Sequence, residues 1–267
     1  MNKLIFSFLG AVATGFACAQ GALPTNIRPL DGEVTIRIIP GFESRCTKNS
    51  YEKNPVDFFG KRNTETSSLK IFEETPGVTK LAVTTYVGIN HFRITLPVNS
   101  EGTGFASTEA GIDSDLNIPN ELVIKLKSLV PQLMNKVSGM GIIGNPLQQG
   151  KIIKDEYCEI IPGGRTLNKS GQLAVAGTSQ IKGRESVIIS GSNSFDCSIG
   201  EKTISFQLNG WFAFDMQSGL QSISSLSSIA KSTDGVTEST EDTECFITGS
   251  PTKAPQPIPT NTTLRYD

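Results

Sequence analysis

Between Ile204 and Asp215 the chain alternates more strictly than anywhere else. Ile204, Phe206, Leu208, Phe212 and Phe214 share one parity, against Ser205, Gln207, Asn209 and Asp215. Successive side chains of an extended strand point to opposite faces, so this pattern belongs to a strand with one buried side. A chain with such a segment must build a sheet that hides a row of phenylalanines, and Phe206 and Phe212 are expected in its core. Gly210 interrupts the row without a side chain, as at a bulge or a point of close packing. Trp211 takes the other parity, exposed or under a loop.

Other segments carry weaker versions of the same period. Val34, Ile36 and Ile38 alternate with Glu33, Thr35 and Arg37 and stop at Pro40-Gly41. Strands are expected over 68–72, 79–87 and 91–96, the last two joined by a tight hairpin at Gly88-Ile89-Asn90. Further strands are expected over 151–161, 172–181, 185–190 and 245–247. Residues 43–67 read as polar and turn-rich around an aromatic knot, Val56-Asp57-Phe58-Phe59. Residues 99–117 read as a long loop, 222–231 as a strand or short helix, and 233–243 as polar and flexible.

One stretch has helical period. Leu122, Leu126, Leu129, Leu133 and Val137 fall on one face, Asn120 suits an N-cap, Glu121 the first turn and Ser138-Gly139 the end. Pro131 removes a backbone donor inside this run and predicts a kink or two short helices. The fold class is therefore α+β, predominantly antiparallel β, with one amphipathic helix near 120–138. Two arrangements satisfy it: a curved sheet with the helix in its concave side, or two β subdomains split near residue 140. Residues 20–250 are expected to form a single β-rich domain, followed by a Pro-rich extended tail over 251–267.

The N-terminus reads as an address. Met1 to Lys3 is a short positive segment, Leu4 to Phe16 is uncharged, and Ala17-Cys18-Ala19 offers small residues where signal peptidase requires them. Residues 1–19 are thus a signal peptide, of bacterial type in its brevity, and the mature chain begins at Gln20. Gly15 stands where a lipoprotein leader needs Leu, which argues against lipidation of Cys18. No later stretch reaches the ~18 apolar residues of a membrane-spanning helix, so the protein is read as exported to the periplasm or beyond. Lys plus Arg total 24 against 26 Asp plus Glu, a formal charge of −2; nucleic-acid partners normally demand a basic surface.

After cleavage four cysteines remain, Cys46, Cys158, Cys197 and Cys245. An even number in an exported chain implies two disulfides, with three pairings open. No CxxC spacing is present, so neither a zinc site nor a dithiol redox centre is indicated. His91, the sole histidine, shares strand parity with Arg93 and Thr95, a polar face unsuited to a general base. Asp113, Asp115 and Asn117 have the first spacings of a calcium loop, but Ile118 and Ile124 stand where that loop needs Gly and Glu; they remain a weak calcium candidate beside the plainer reading of an acidic loop. Glu73-Glu74 and Asp155-Glu156 are neighbouring acids that a strand sends to opposite faces. Gly139-Met140-Gly141 lacks the Lys-Ser/Thr of a phosphate loop, and Asn168 and Asn261 open glycosylation sequons that matter only in a eukaryote. No catalytic residue and no cofactor is assigned.

The reading that follows is an exported, disulfide-containing, non-catalytic envelope or periplasmic protein that binds an apolar ligand, a lipid or an envelope partner. A secreted hydrolase with a carboxylate-based site and a structural or adhesion module are the alternatives.

Overall fold

The strict alternation of the C-terminal half and the looser alternation of the N-terminal half resolve into one sheet. The computed structural model describes residues 23–106, 109–116, 118–138, 142–153, 158 and 163–252, without the side chains of 57–59, 87 and 132–138. The expected leader 1–19, most of the tail 251–267, Asn117, Gly139-Met140-Gly141, Asp155-Glu156 and Asn261 lie outside the described residues. The elements are β1 (Val34–Thr35), β2 (Phe42–Asn54), β3 (Asp57–Thr75), β4 (Val78–Val87), β5 (Asn90–Pro97), β6 (Gly111–Ser114), α1 (Asn120–Ser138), β7 (Pro146–Leu147), β8 (Ile152–Ile153), β9 (Gly164–Ile181), β10 (Arg184–Ile199), β11 (Lys202–Asp215), β12 (Gln221–Ser232) and β13 (Gly235–Gly249).

Eleven strands form a sheet in the order β6-β5-β4-β3-β2-β13-β12-β11-β10-β9-β8, while β1 pairs with β7 separately. All pairings between these strands are antiparallel. The topology is two meanders joined where the first long strand, β2, meets the last, β13. The protein is thus mostly antiparallel sheet with one helix among the described residues. No described helix is long and apolar enough to cross a membrane.

Two apolar cores lie along the sheet. The N-terminal one gathers Ile71, Leu81, Val83, Phe92, Ile94 and Leu96 from β3, β4 and β5 with Leu126 and Val130 of α1 and Phe105 of the preceding loop. The C-terminal one gathers Val187, Ile189, Phe195, Leu208, Phe212 and Leu226 with Leu30, Ile36, Leu147 and Ile153 from the segments covering them. Helix α1 is one continuous element with Pro131 inside it. Leu126 and Val130 are buried, Leu122 packs against the core and Ile124 is exposed.

Trp211 lies under cover: with Ile188 and Ala213 it forms a third cluster, against which Ile27 of the N-terminal segment packs. Gly210 is a point of close packing. It faces Gly191 across the β10–β11 ladder, and a Cβ on Gly210 would lie 2.4 Å from the Ser225 carbonyl oxygen, one on Gly191 2.1 Å from that of Gln172. Paired glycines let the four strands β9 to β12 approach closely here, consistent with a curved sheet.

Several expectations are corrected. Residues 43–67 are not turn-rich but lie in β2 and β3, and 233–243 fall largely in β13. Outside the cores both faces of these strands meet water, so no apolar period marks them. Their ladders are laced instead by polar pairs such as Thr64 to Asn49 at 2.9 Å and Ser228 with Ser239 at 2.9 Å. The stretch 222–231 is strand, 99–117 contains β6, 185–190 extends to the whole of β10, and of 151–161 only β8 is described as strand. Phe206, expected in the core, packs against the C-terminal core but is only partly buried, whereas Phe212 is 1% exposed.

The turn that closes β11 shows how buried charge fixes the lower end of the sheet. Asp215 is fully buried. Its Oδ1 accepts from the Ser218 N–H at 2.7 Å and hydroxyl at 2.6 Å, and Arg184 donates to both carboxylate oxygens at 2.8 and 2.9 Å. The same guanidinium stacks 5.2 Å above the Phe42 ring. Removing Asp215 leaves the partly exposed Arg184 without its anion and the Ser218 turn without its acceptor. Asp215→Ala is therefore expected to lower stability by about 3–5 kcal/mol, read from urea unfolding.

Candidate functional site

The seam between the two meanders has unusual chemistry on the face that carries the cores. Reading across β4, β3, β2 and β13, Thr85, Ser67, Cys46 and Cys245 stand directly opposite one another. The next row runs Glu65, Lys48, Thr243, Ser224 and then Phe212. A polar stripe thus separates the two cores where a continuous apolar layer would otherwise run.

Cys46 and Cys245 form a disulfide with a Cα–Cα distance of 4.0 Å, and Cys158 and Cys197 form the second at 5.4 Å. Of the three pairings open to sequence, the strand register selects this one, because β2 and β13 bring Cys46 and Cys245 face to face. The second bridge fastens residue 158 to β10 beside Phe195, inside the C-terminal core.

Next to the seam disulfide, Lys48 Nζ lies 3.4 Å from a Glu65 oxygen and 3.2 Å from a Glu241 oxygen. A cavity of about 30 Å³ opens beside them, lined by Cys46, Lys48, Glu65, Ser67, Thr85, Thr243 and Cys245 among others. The hydroxyls of Thr85 and Thr243 and Oε1 of Glu241 are buried with no protein hydrogen-bond partner. The unpartnered hydroxyls of Thr85 and Thr243 give a void of that size the polar groups that an ordered water needs. Two carboxylates share one ammonium, and burial pushes the Glu241 carboxyl above its ordinary range; Lys48 pulls it partly back, and Glu65 and Asp242 add to the rise.

Neither Lys48, Glu65 nor Glu241 is picked out by sequence reasoning, since the first two lie in a segment that reads as turn-rich and the third in one that reads as polar and flexible. The available signal was parity: once Cys46 and Cys245 are opposite, Lys48 and Thr243, each two residues away, must share their face.

The C-terminal arm offers a different surface. Phe195 and Phe206 stack with centroids 5.4 Å apart and planes at 21°. Phe206 is half-exposed, as are Ala230 opposite it and Ile204, which shares its parity. The apolar row that is sealed at Phe212 therefore runs on past Leu208 into partial contact with water.

The histidine is placed less simply than parity suggests. His91 keeps its position on the polar face with Arg93, but β6 brings both aspartates to it. Its backbone N–H donates to Asp115 Oδ1 at 2.5 Å, its Nδ1 is 2.9 Å from Asp115 Oδ2, and its Nε2 is 3.4 Å from Asp113 Oδ2. That backbone hydrogen bond, chiefly, holds the Asp115 carboxyl below its usual range, helped by the His91 ring. Asp113 also lies 3.8 Å from Arg93. Both aspartates of the calcium candidate thus face His91. Among the described residues no group of three or more His, Cys, Asp or Glu side chains is arranged to hold a metal. Asn168 donates to Asp196 at 2.7 Å. The Ser205 hydroxyl, and then Asn168, lower the Asp196 carboxyl.

No protein-family model matches the chain, and no curated protein matches it in sequence. Among solved structures, a DUF1329 family protein from Desulfovibrio piger is similar at 6% identity and a TM-score of 0.24, with 79% of this chain and 87% of that one covered. The Pseudomonas aeruginosa MucA/MucB complex is similar at 8% identity and a TM-score of 0.20, over 78% of this chain and 94% of that one. A second structure, of MucB with MucA(peri), gives 8% identity, the same coverage and a TM-score of 0.11. At these scores the likeness decides nothing about the site, whose meaning rests on its own residues.

The seam carboxylate makes a signed statement about pH. A carboxyl raised in the folded state contributes stability that is fully present below its unfolded value and is lost as pH rises through the folded one. Between about pH 4 and pH 7 the native protein should lose stability that Glu241→Gln retains. At neutral pH the variant, with Glu65 still facing Lys48, should equal or exceed the native protein by about 1 kcal/mol. Urea midpoints of the two proteins across that range provide the check.

Proposed function

We propose that this is an exported, disulfide-stabilised protein of the bacterial envelope that binds its partner without transforming it. Its binding surface is the apolar arm beside the C-terminal core, and the occupant is an apolar ligand, a lipid or an apolar segment of another envelope protein. The observation that carries the reading is the half-exposed continuation of the phenylalanine row, with Phe206 stacked on Phe195 and flanked by Ile204 and Ala230. A core row that continues into only partly buried apolar side chains leaves an edge on which an apolar partner could pack. Export is supported by the leader-like residues 1–19 and by two disulfides, which persist in oxidising compartments.

The test compares three variants for stability and for what copurifies from the native host. Phe212→Ala should cost about 3–5 kcal/mol, as a fully buried aromatic does. Phe206→Ala, half-exposed, should cost no more than about 1–2 kcal/mol yet remove most of the bound species seen by native mass spectrometry or lipid extraction. His91→Ala should leave binding unchanged. If Phe206→Ala binds as well as the native protein, the arm is not the site. Hydrolysis of a glycan, ester or peptide that disappears in His91→Ala would establish the hydrolase instead, and a ligand-free oligomer would establish a structural module.

A further inference from the structure

We propose that the face of the sheet turned away from the seam disulfide carries a second site, a polar cleft that takes a neutral oligosaccharide, independently of what the apolar arm binds. Asn49 and Tyr51 of β2, Arg62 and Thr64 of β3, and Thr240 and Asp242 of β13 line an open cleft of about 980 Å³. The register sets them in two rows, Asp242-Asn49-Thr64 and Thr240-Tyr51-Arg62. Both rows have the parity opposite to Cys46 and Lys48, so they stand on the other face.

The Tyr51 ring is held in place. A Cβ on Gly60 would lie 2.4 Å from its hydroxyl oxygen and 2.5 Å from both Cε2 and Cζ. Near-equal distances to three such atoms put that point over the face of the ring, not at its edge. Tyr51 therefore lies face-on over the backbone of Gly60, whose φ is 66°, and a side chain at that position would displace it.

Two polar groups beside the ring are fixed as well. Asp242 Oδ1 accepts from the hydroxyl of Ser225 at 2.8 Å, and Ser225 is only 2% exposed. Asn49 Oδ1 accepts from Thr64 at 2.9 Å. Asp242 Oδ2 and the Asn49 amide nitrogen are left to meet a ligand. Groups fixed beforehand lose little freedom on binding. A sheet face that only meets water needs neither a glycine beneath a tyrosine nor a buried serine behind a carboxylate.

The charges balance. Arg62 and Asp242 sit at opposite corners of the cleft, and among the described residues neither joins an ion pair. The next row on the Tyr51 side sets Lys53 opposite Glu238, and on the other side Glu244 is met by Lys182 at 2.8 Å. An anionic polymer finds no net positive field here, and an apolar ligand finds one ring among hydroxyls and amides. A pyranose carries C–H groups on its faces and hydroxyls around its rim. Its face packs on Tyr51 while its hydroxyls donate to Asp242 and accept from Asn49 and Arg62.

The experiment titrates the full mature protein in a calorimeter with cellohexaose, maltohexaose and chitohexaose, and with hexagalacturonate as the anionic counterpart. At least one neutral sugar should bind with a Kd of about 1 mM or tighter. That affinity should change by no more than about twofold between low and high salt, because no net charge is neutralised. Tyr51→Ala and Asp242→Asn should each weaken it about tenfold. Tyr51→Phe, which keeps the ring, and Phe206→Ala, in the apolar arm on the opposite face, should stay within about twofold of native. Asp242→Asn still accepts from Ser225 and should keep the native thermal midpoint, which separates binding from folding. The proposal falls if none of the three neutral sugars binds at about 10 mM, or if hexagalacturonate binds more tightly than all of them. It falls equally if Tyr51→Ala and Asp242→Asn bind as the native protein does.

Discussion

The pairing of β2 with β13 is the interaction on which the rest depends. Each meander is a self-contained run of hairpins, and without this ladder the sheet would be two separate pieces, each with an open edge. Joined, they share one hydrogen-bonded surface whose ends are β6, only four residues long, and β9, which β8 and Arg28 cover in part. The uncovered stretch of β9 carries positive-φ residues at Asn168 and Gly171 and a register shift, the irregularities that discourage another strand from adding. The seam disulfide locks the ladder at its centre, across a sequence separation of 199.

What surrounds that lock explains why the two cores stay distinct. Serine, threonine, Lys48 and two glutamates occupy the inward positions of β2, β3, β12 and β13 near the seam, so apolar packing cannot run from Leu69 across to Leu226. The ion cluster contributes little net stability: two carboxylates on one ammonium leave Glu241 partly uncompensated. Its effect is to fix which rows face each other, since a slip of one residue would turn Lys48 to the opposite face and separate Cys46 from Cys245.

Legibility in the sequence followed burial. The phenylalanine row of β11, the strands on either side of Gly88-Ile89 and the first part of the helix were readable because Phe212, Val83 and Ile94, and Leu126 and Val130 face a core. The outer parts of β2, β3, β9 and β13 were not, because strands wetted on both sides carry no period of two, and their many Ser, Thr, Asn and Lys residues resemble turns. Phe206 was read as buried on parity alone; parity assigns a face and says nothing about how far the cover on that face extends. The aspartates of the calcium-like spacing were noticed, but their convergence on His91 requires β6 to pair with β5, a non-local contact with no local mark. The disulfide pairing likewise awaited the strand order.

Joining the first long strand to the last has a consequence for the order of events during synthesis. The β2–β6 meander can form as soon as it emerges, but its β2 edge has no mate until β13, which ends at Gly249, has been made. Throughout that interval an amide-bearing edge stands open, and closing it requires the most distant contacts in the molecule, the kind that slows folding and exposes intermediates to aggregation. Arg45, Lys48 and Lys53 on β2 keep that waiting edge charged, so strands of a second nascent chain are repelled until the correct one arrives.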